Sequence, residues 1–480
     1  MERVVLALAG LGAQARPIVQ LPVQLSGPSA EPVVESADLV GVTSAVLAGE
    51  IPVLPPLVLD SSSSELAVRR VDAGDVIRGL VQGMISAGGA RRSVPPPPPS
   101  SEEPSLEGSG GGGEGLPDAV SGVVQGATGG PPLLAPLDLT PYRLMIINRE
   151  GGIPSYARSG LPHLTINLCS EAAFIRSTFR PDWAESHPSA LRNLALADDC
   201  LRLMPESSTA VVVSHRSPTA LIGNLITNKP AHSPSLPHAL LDSQGKLTRH
   251  TPTLIRRGLP IQIIRNPRAL DRSKLTSLLE ASFRRTLDER AFYDRMERQL
   301  DFVIVAGDYA GAAIITRESA PIDGEGERSD SSSSSSNSRP PSPVCYLDKF
   351  AVHPSHQGAT GTVDFLWSTL RDETFGAGLP SALNTTAGSL AGRLEGRDLV
   401  WRSRAANPVN KWYYERSNGF LTTADGRWKM FWCDREDLAE GFQARDDGGG
   451  GMGGAGRDDE VSRLERWAAI VEPIPSAWSA

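Results

Sequence analysis

After Gly258-Leu259-Pro260 the apolar pattern changes period again and again, and the order of those changes leaves few folds open. Ile261–Ile264 is a short strand-like run. Asp271 is placed to cap a helix carrying Leu275, Leu278, Leu279 and Phe283 on one face. Phe302–Val305, a Gly307-Asp308 turn and Ala310–Thr316 read as a hairpin, with Val344–Val352 as the next strand. Val363, Leu366, Trp367 and Leu370 then recur at helical spacing. A strand over Asp398–Arg402, a helix over Pro408–Ser417 and a hairpin over Phe420–Cys433 complete the series. An α/β domain with a mixed, mostly antiparallel sheet accommodates this order.

Before the boundary the pattern is simpler. Ile51–Leu54, Leu144–Asn148 and Ala210–Ser214 are short apolar runs, with helical stretches such as Ala190–Met204 between them. That alternation predicts a layered α/β domain with a largely parallel sheet. The expected domains are therefore residues 1–258 and 259–480. Low-complexity stretches at about 91–139, 319–343 and 445–457 interrupt both. Such stretches bury too little apolar surface to offset their ordering entropy, so they read as disordered insertions. Closure entropy grows slowly with loop length, so a domain tolerates them.

Composition narrows the function classes. A net charge of -8 over 480 residues argues against general nucleic-acid binding, which usually needs a basic face. The four cysteines are scattered without a Cys-x-x-Cys pair, so neither a zinc site nor a disulfide framework is expected. No apolar run reaches the ~18–20 residues that span a membrane. The apolar start, Val4–Ala9, reads as a core element.

Chemistry concentrates in two segments. One is Tyr346-Leu347-Asp348-Lys349-Phe350-Ala351-Val352, followed by Gln357, Gly358, Gly361 and Thr362. The other is Trp401-Arg402-Ser403-Arg404, then Asn407-Pro408, Asn410 and Trp412-Tyr413. Lys349 and Asp348 are adjacent on a strand, so alternation points them to opposite faces. Arg402 and Arg404 are two apart and share a face, where an anion between them relieves their repulsion. The glycines precede an amphipathic helix, where backbone N–H groups can cradle a phosphate. Plain structural alternatives stand beside each reading. Lys349 can be a solvated strand-end charge, either arginine an ion-pair partner, and Asn407 a helix N-cap. Tyr413 can be a core aromatic, and the glycines a turn.

These paired motifs resemble the N-acetylglutamate synthases of the fungal mitochondrial type, and the element order resembles the GNAT acetyltransferase fold. The likeness continues upstream, less sharply, in Ile51–Pro56, Val71–Asp75, Asn148–Ile153 and Leu254–Gly258, which look like an amino-acid kinase fold. No Gly-rich phosphate loop with a lysine precedes Ile51, so that kinase-like part is expected to be shortened at its start and to transfer no phosphate.

The resemblance implies acetyl-CoA as co-substrate, L-glutamate as acceptor, no metal, and a place at the first step of arginine biosynthesis. It implies Lys349, Arg402, Arg404, Asn407 and Arg285 as substrate ligands; for Arg285, helix-surface charge is the alternative. Phe350, Val352, Gln357, Gly358, Gly361 and Thr362 would meet the cofactor. Tyr413 would serve as the acid that protonates the departing thiolate, with Asn407 beside it. The family also implies a mitochondrial matrix location, L-arginine as an inhibitor, and a homo-oligomer or a complex with N-acetylglutamate kinase. The reading from another class is a catalytically weak regulatory or scaffold subunit of the same pathway.

Overall fold

A computed structural model of the chain describes residues 1–26, 31–33, 36–60, 67–92, 137–156, 158, 160–236, 241, 247–319, 344–358, 361–371, 399–423, 425–433 and 455–479. Apart from their ends, the three low-complexity stretches lie outside the described residues. The described residues form two compact units, Met1–Pro141 and Tyr142–Ala480.

The first unit contains helices α1 (Glu2–Gly10), α2 (Val40–Leu47) and α3 (Ala73–Arg92). Its strands are β1 (Ala15–Pro17), β2 (Gln24–Ser26), β3 (Glu31–Val33), β4 (Ile51–Val53), β5 (Leu57–Asp60) and β6 (Ala67–Arg70). They make a parallel pair, β1-β4, and a four-stranded sheet in the order β3-β2-β5-β6. A small core gathers Ile18, Val23, Leu25, Leu39, Val42, Val58 and Val76. One expectation fails here. The apolar start is no core element: α1 has no buried residue, and Val4 and Leu6 are exposed. Good helix formers such as alanine and leucine carry the segment into a helix without a buried face to direct it.

The second unit begins with β7 (Arg143–Asn148), β8 (Thr165–Asn167), β9 (Thr209–Ser214) and β10 (Thr253–Arg256) in the order β7-β9-β10-β8. β7–β9 and β10–β8 are parallel and β9–β10 antiparallel. Helices α4 (Leu168–Thr178), α5 (Pro181–Ser186), α6 (Ala190–Leu203) and α7 (Pro218–Thr227) accompany this sheet. All six residues of β9 are buried, which explains their unbroken apolar reading. Ile51–Val53, expected in the same layer, belongs instead to the first unit.

Past Gly258 a seven-stranded mixed sheet takes over. Its strands are β11 (Ile261–Ile264), β12 (Leu300–Ala306), β13 (Gly311–Glu318), β14 (Val344–Val352), β15 (Leu399–Arg404), β16 (Gly419–Thr422) and β17 (Trp428–Cys433). They run in the order β11-β12-β13-β14-β15-β17-β16, antiparallel throughout except for β14–β15. Helices α8 (Arg272–Phe283) and α9 (Glu289–Gln299) pack on one face, with Asp271 capping α8 at the backbone N–H of Lys274. Helix α10 (Thr362–Arg371) and the short α11 (Asn410–Tyr414) lie on the other. A last helix, α12 (Ala455–Val471), buries Trp467 and Ile470 against Tyr346, Val400 and Trp432.

Candidate active site

Two irregularities in the seven-stranded sheet make the site. The first is the parting of β14 and β15. They pair only at Cys345–Leu399 and Tyr346–Val400, although β14 continues to Val352 and β15 to Arg404. Beyond those pairs β15 is held by β17 alone, so a wedge opens between the two parallel strands. The second is a bulge in β14. Across from it Ile314 pairs with Lys349 and Ile315 with Leu347, which leaves Asp348 as the extra residue.

The bulge corrects the expected alternation. An inserted residue restarts the period of two, so Asp348 and Lys349 do not face opposite ways. The Lys349 ammonium lies 2.8 Å from Asp348 Oδ2 and also donates to the Asp348 carbonyl. Arg295 of α9 donates to the other carboxylate oxygen at 2.7 Å and pairs with Glu318 as well. Burial pushes the Asp348 carboxyl up, but Lys349 and Arg295 outweigh it and hold it at about 2. Lys349 is no solvated strand-end charge: its side chain is 12% exposed. Its ammonium stands over the rings of Phe292 and Trp478. Both of its acceptors belong to Asp348, so one of its three N–H donors has no protein partner among the described residues.

Arg402 and Arg404 share a face, as their spacing requires, and both stand over Trp428. Their circumstances differ. Arg402 donates to the carbonyls of Val471, Glu472 and Ile474, closing the C-terminal end of α12. The Arg404 side chain is exposed and forms no ion pair or hydrogen bond among the described residues. Arg285 is exposed in the turn between α8 and α9. Lys349 and the two arginines thus lie on the sheet face that carries α8, α9 and α12.

Tyr413 lies on the opposite face. It packs partly buried against Trp401, Trp412 and Phe431, residues that belong with α10 and α11. Burial pushes its hydroxyl up to about 12, well above an ordinary tyrosine. Among the described residues that hydroxyl has no hydrogen-bond partner. The buried Trp401 Nε1 also lacks an acceptor there. Asn407 is not the N-cap of α11, a place taken by Val409, but sits in the turn ahead of the helix. Its Oδ1 accepts the Val409 N–H and its Nδ2 donates to Ser403.

The glycine segment follows β14. Gly358 and Gly361 take φ of 84° and 80°, where a side chain would be strained. Gln357 donates to the carbonyl of Val352, and Thr362 is buried at the start of α10. Ala359 and Thr360 lie outside the described residues. Phe350 stacks on Trp412 and meets Trp367 edge-on, lining the wedge from the α10 side. His353 and His356 are half-buried and line a cavity of about 560 Å³ with Ser273, Lys274 and Tyr309.

The sequence reading overlooked Arg295, Asp364, Arg416 and Ser235. Arg295 had a signal, since it follows Phe292 by three residues on the inward face of α9. Arg416 follows Trp412 by four and stacks on it at 4.1 Å. Ser235 had none.

Comparison with known proteins fits this geometry. The family model for the N-acetyltransferase domain of N-acetylglutamate synthase matches residues 262–377 and 393–444. Mitochondrial amino-acid acetyltransferases of Coprinopsis cinerea and Laccaria bicolor are each 48% identical over 99% of this chain, which covers 70% and 75% of their lengths. That of Schizosaccharomyces japonicus is 32% identical over 70% of this chain, which covers 56% of its length. The chain belongs to this family of mitochondrial amino-acid acetyltransferases. It is an acyltransferase with a GNAT-type domain on the seven-stranded sheet and a mitochondrial location, and the acetyl donor of such enzymes is acetyl-CoA. Among the described residues no helix is long and apolar enough to cross a membrane.

Proposed function

We propose that the protein transfers the acetyl group of acetyl-CoA to the α-amino group of L-glutamate, giving N-acetyl-L-glutamate and CoA. The observation that carries this reading is the wedge between β14 and β15, with cations on one face and a phosphate-suited loop on the other. In this reading Lys349 and Arg404 take the carboxylates of glutamate from the α9 side. Arg402 supports them by holding residues 471–474, and Arg285 and Asn407 border the site. The backbone at Gly358, Gly361 and Thr362 cradles the pyrophosphate ahead of α10, with Gln357 beside it. The pantetheine arm runs along Phe350–Val352, where β14 has no ladder partner on the β15 side, and the thioester reaches the amine through the wedge.

The amine, after losing a proton to water, attacks the thioester carbonyl. A C–N bond forms, the tetrahedral adduct collapses, and the C–S bond breaks. An N–H of β14 stabilises the oxyanion. A tyrosine held near 12 is neutral at any working pH and donates a hydrogen bond to the leaving sulfur. Net transfer to a thiolate with an ordinary value of ~8.5 is uphill unless it accompanies C–S cleavage. Tyr413 therefore passes its proton as the bond breaks and regains one from the nitrogen, which must shed it to form the amide.

The reading extends to the regions around the site. In this reading residues 1–258 are an amino-acid kinase-like region. Arginine inhibition acting through that part, and assembly into oligomers or with N-acetylglutamate kinase, are part of the same proposal, and the family resemblance is what supports them. The deciding assay measures CoA release from acetyl-CoA with L-glutamate, L-aspartate and L-lysine. Glutamate should be used at least about tenfold better than the others, the discrimination expected of one well-placed charged contact. Equal rates would sink the substrate assignment.

A further inference from the structure

One serine outside the seven-stranded sheet bonds to a residue of α10 and to a residue just past α11. Ser235, buried in the segment after α7, donates to Asp364 Oδ1 at 2.8 Å and accepts from Arg416 Nε at 2.8 Å. Ser233 repeats the pattern more loosely, at 3.3 Å from Asp364 and 3.1 Å from Arg416 Nη2. Asp364 lies in the first turn of α10, three residues after Gly361 and two after Thr362. Arg416 follows α11, donates back to the carbonyl of Trp412 at 3.0 Å, and stacks on the same indole. Trp412 in turn stacks on Phe350 of β14 and adjoins Tyr413.

The chemistry of the relay is directional. A guanidinium N–H needs an acceptor and a carboxylate needs a donor, and a hydroxyl supplies both at once. Asp364 and Arg416 carry opposite charges, and the serine stands between them, bonded to each. Arg416 is 5% exposed, so a guanidinium stripped of this acceptor cannot turn to water instead. Nearby, Arg256 at the end of β10 approaches Gly361 and donates to the carbonyl of Asn228 at 2.8 Å. Ser235 and Arg256 therefore meet the start of α10 and the glycine before it at two separate points.

We propose that Ser235, with Asp364 and Arg416, is a positioning device for the acetyl-CoA site. It fixes the angle between α10 and α11, and hence the glycine segment relative to Phe350 and Tyr413. The proposal rests on the acetyl-CoA reading above and adds that the acetyltransferase sheet does not set its own cofactor geometry. A segment from the preceding region sets it.

The test is acetyl-CoA binding to the full chain by titration calorimetry, beside steady-state kinetics. Ser235→Ala and Asp364→Ala should each weaken acetyl-CoA binding about tenfold, the order expected for losing a charge-assisted hydrogen bond. KM for the amino acid should change by less than about twofold. The double variant should be no weaker than Asp364→Ala alone, because losing the carboxylate already breaks the contacts of both Ser233 and Ser235. Ser235→Thr keeps the hydroxyl and should bind like the wild type. Asp364→Ala provides the same reading should Ser235→Ala fail to fold. Affinity within about twofold of wild type in the folded variants, or additive losses, would overturn the proposal. Wild-type protein that binds no acetyl-CoA would instead refute the cofactor reading itself.

Discussion

The two faces of the seven-stranded sheet are built by opposite rules. The α9 face is ionic: Arg295, Asp348, Glu318 and Lys349 form a buried network, and Arg402 holds the end of α12. The α10 face is aromatic: Phe350, Trp367, Trp401, Trp412, Tyr413 and Phe431 pack ring against ring. Charges kept from water need fixed partners, so the first face holds cations at defined points. Rings exclude water, so the second face keeps a hydroxyl neutral. A reaction that grips an anionic acceptor and protects a thioester uses both, and the wedge is where they meet.

Each face can be disabled on its own. Asp348→Asn removes the anion that Arg295 and Lys349 share, and should cost about 3–5 kcal/mol in chemical denaturation. The same carboxylate has a pH signature. Its folded value of about 2 lies below the unfolded ~3.9, so its stabilisation is complete above pH ~4 and is lost as pH falls through 2. The wild type should lose stability more steeply than the variant across that window.

Tyr413→Phe should lower turnover roughly a hundredfold while leaving acetyl-CoA affinity within a few-fold, as rapid-quench and binding measurements would show. An unchanged turnover number removes the tyrosine as acid. Because its hydroxyl is held at about 12, the wild-type rate should show no alkaline fall from this group below pH ~11. Lys349→Met should raise KM for glutamate about tenfold with a smaller change for acetyl-CoA, since it removes one charge-assisted contact. Arg285→Ala, which removes an exposed turn residue, should change KM by about twofold at most.

Much of the sheet was legible in the sequence because its cues are local. Asp271, the helical spacing from Val363 to Leu370, and the Asp425-Gly426 turn all act within a few residues. The bulge at Asp348 was not legible: one inserted residue changes no composition and no apolar count, only the phase of the residues beyond it. The relation between Tyr413 and the arginines was missed for a related reason. Trp401 and Arg402 are neighbours in sequence and face opposite sides of β15, so closeness along the chain suggested one cluster where the fold makes two. Helix α12 had no counterpart in the expectations, although Leu464, Trp467 and Val471 follow helical spacing; the glycine-rich run before it drew the reading toward disorder.

A sheet that parts in its middle has edges inside the molecule. Past Tyr346, β14 offers amide hydrogens toward a strand that is no longer beside it, and side-chain stacking from Phe350 to Trp412 bridges the gap instead. An extended, amide-bearing ligand arm can occupy that place as a borrowed strand. Hydrogen exchange should therefore be fast, in the free protein, at those amides of Lys349–Val352 that β13 does not bond, and slow once acetyl-CoA is bound, with β12 and β13 protected in both states.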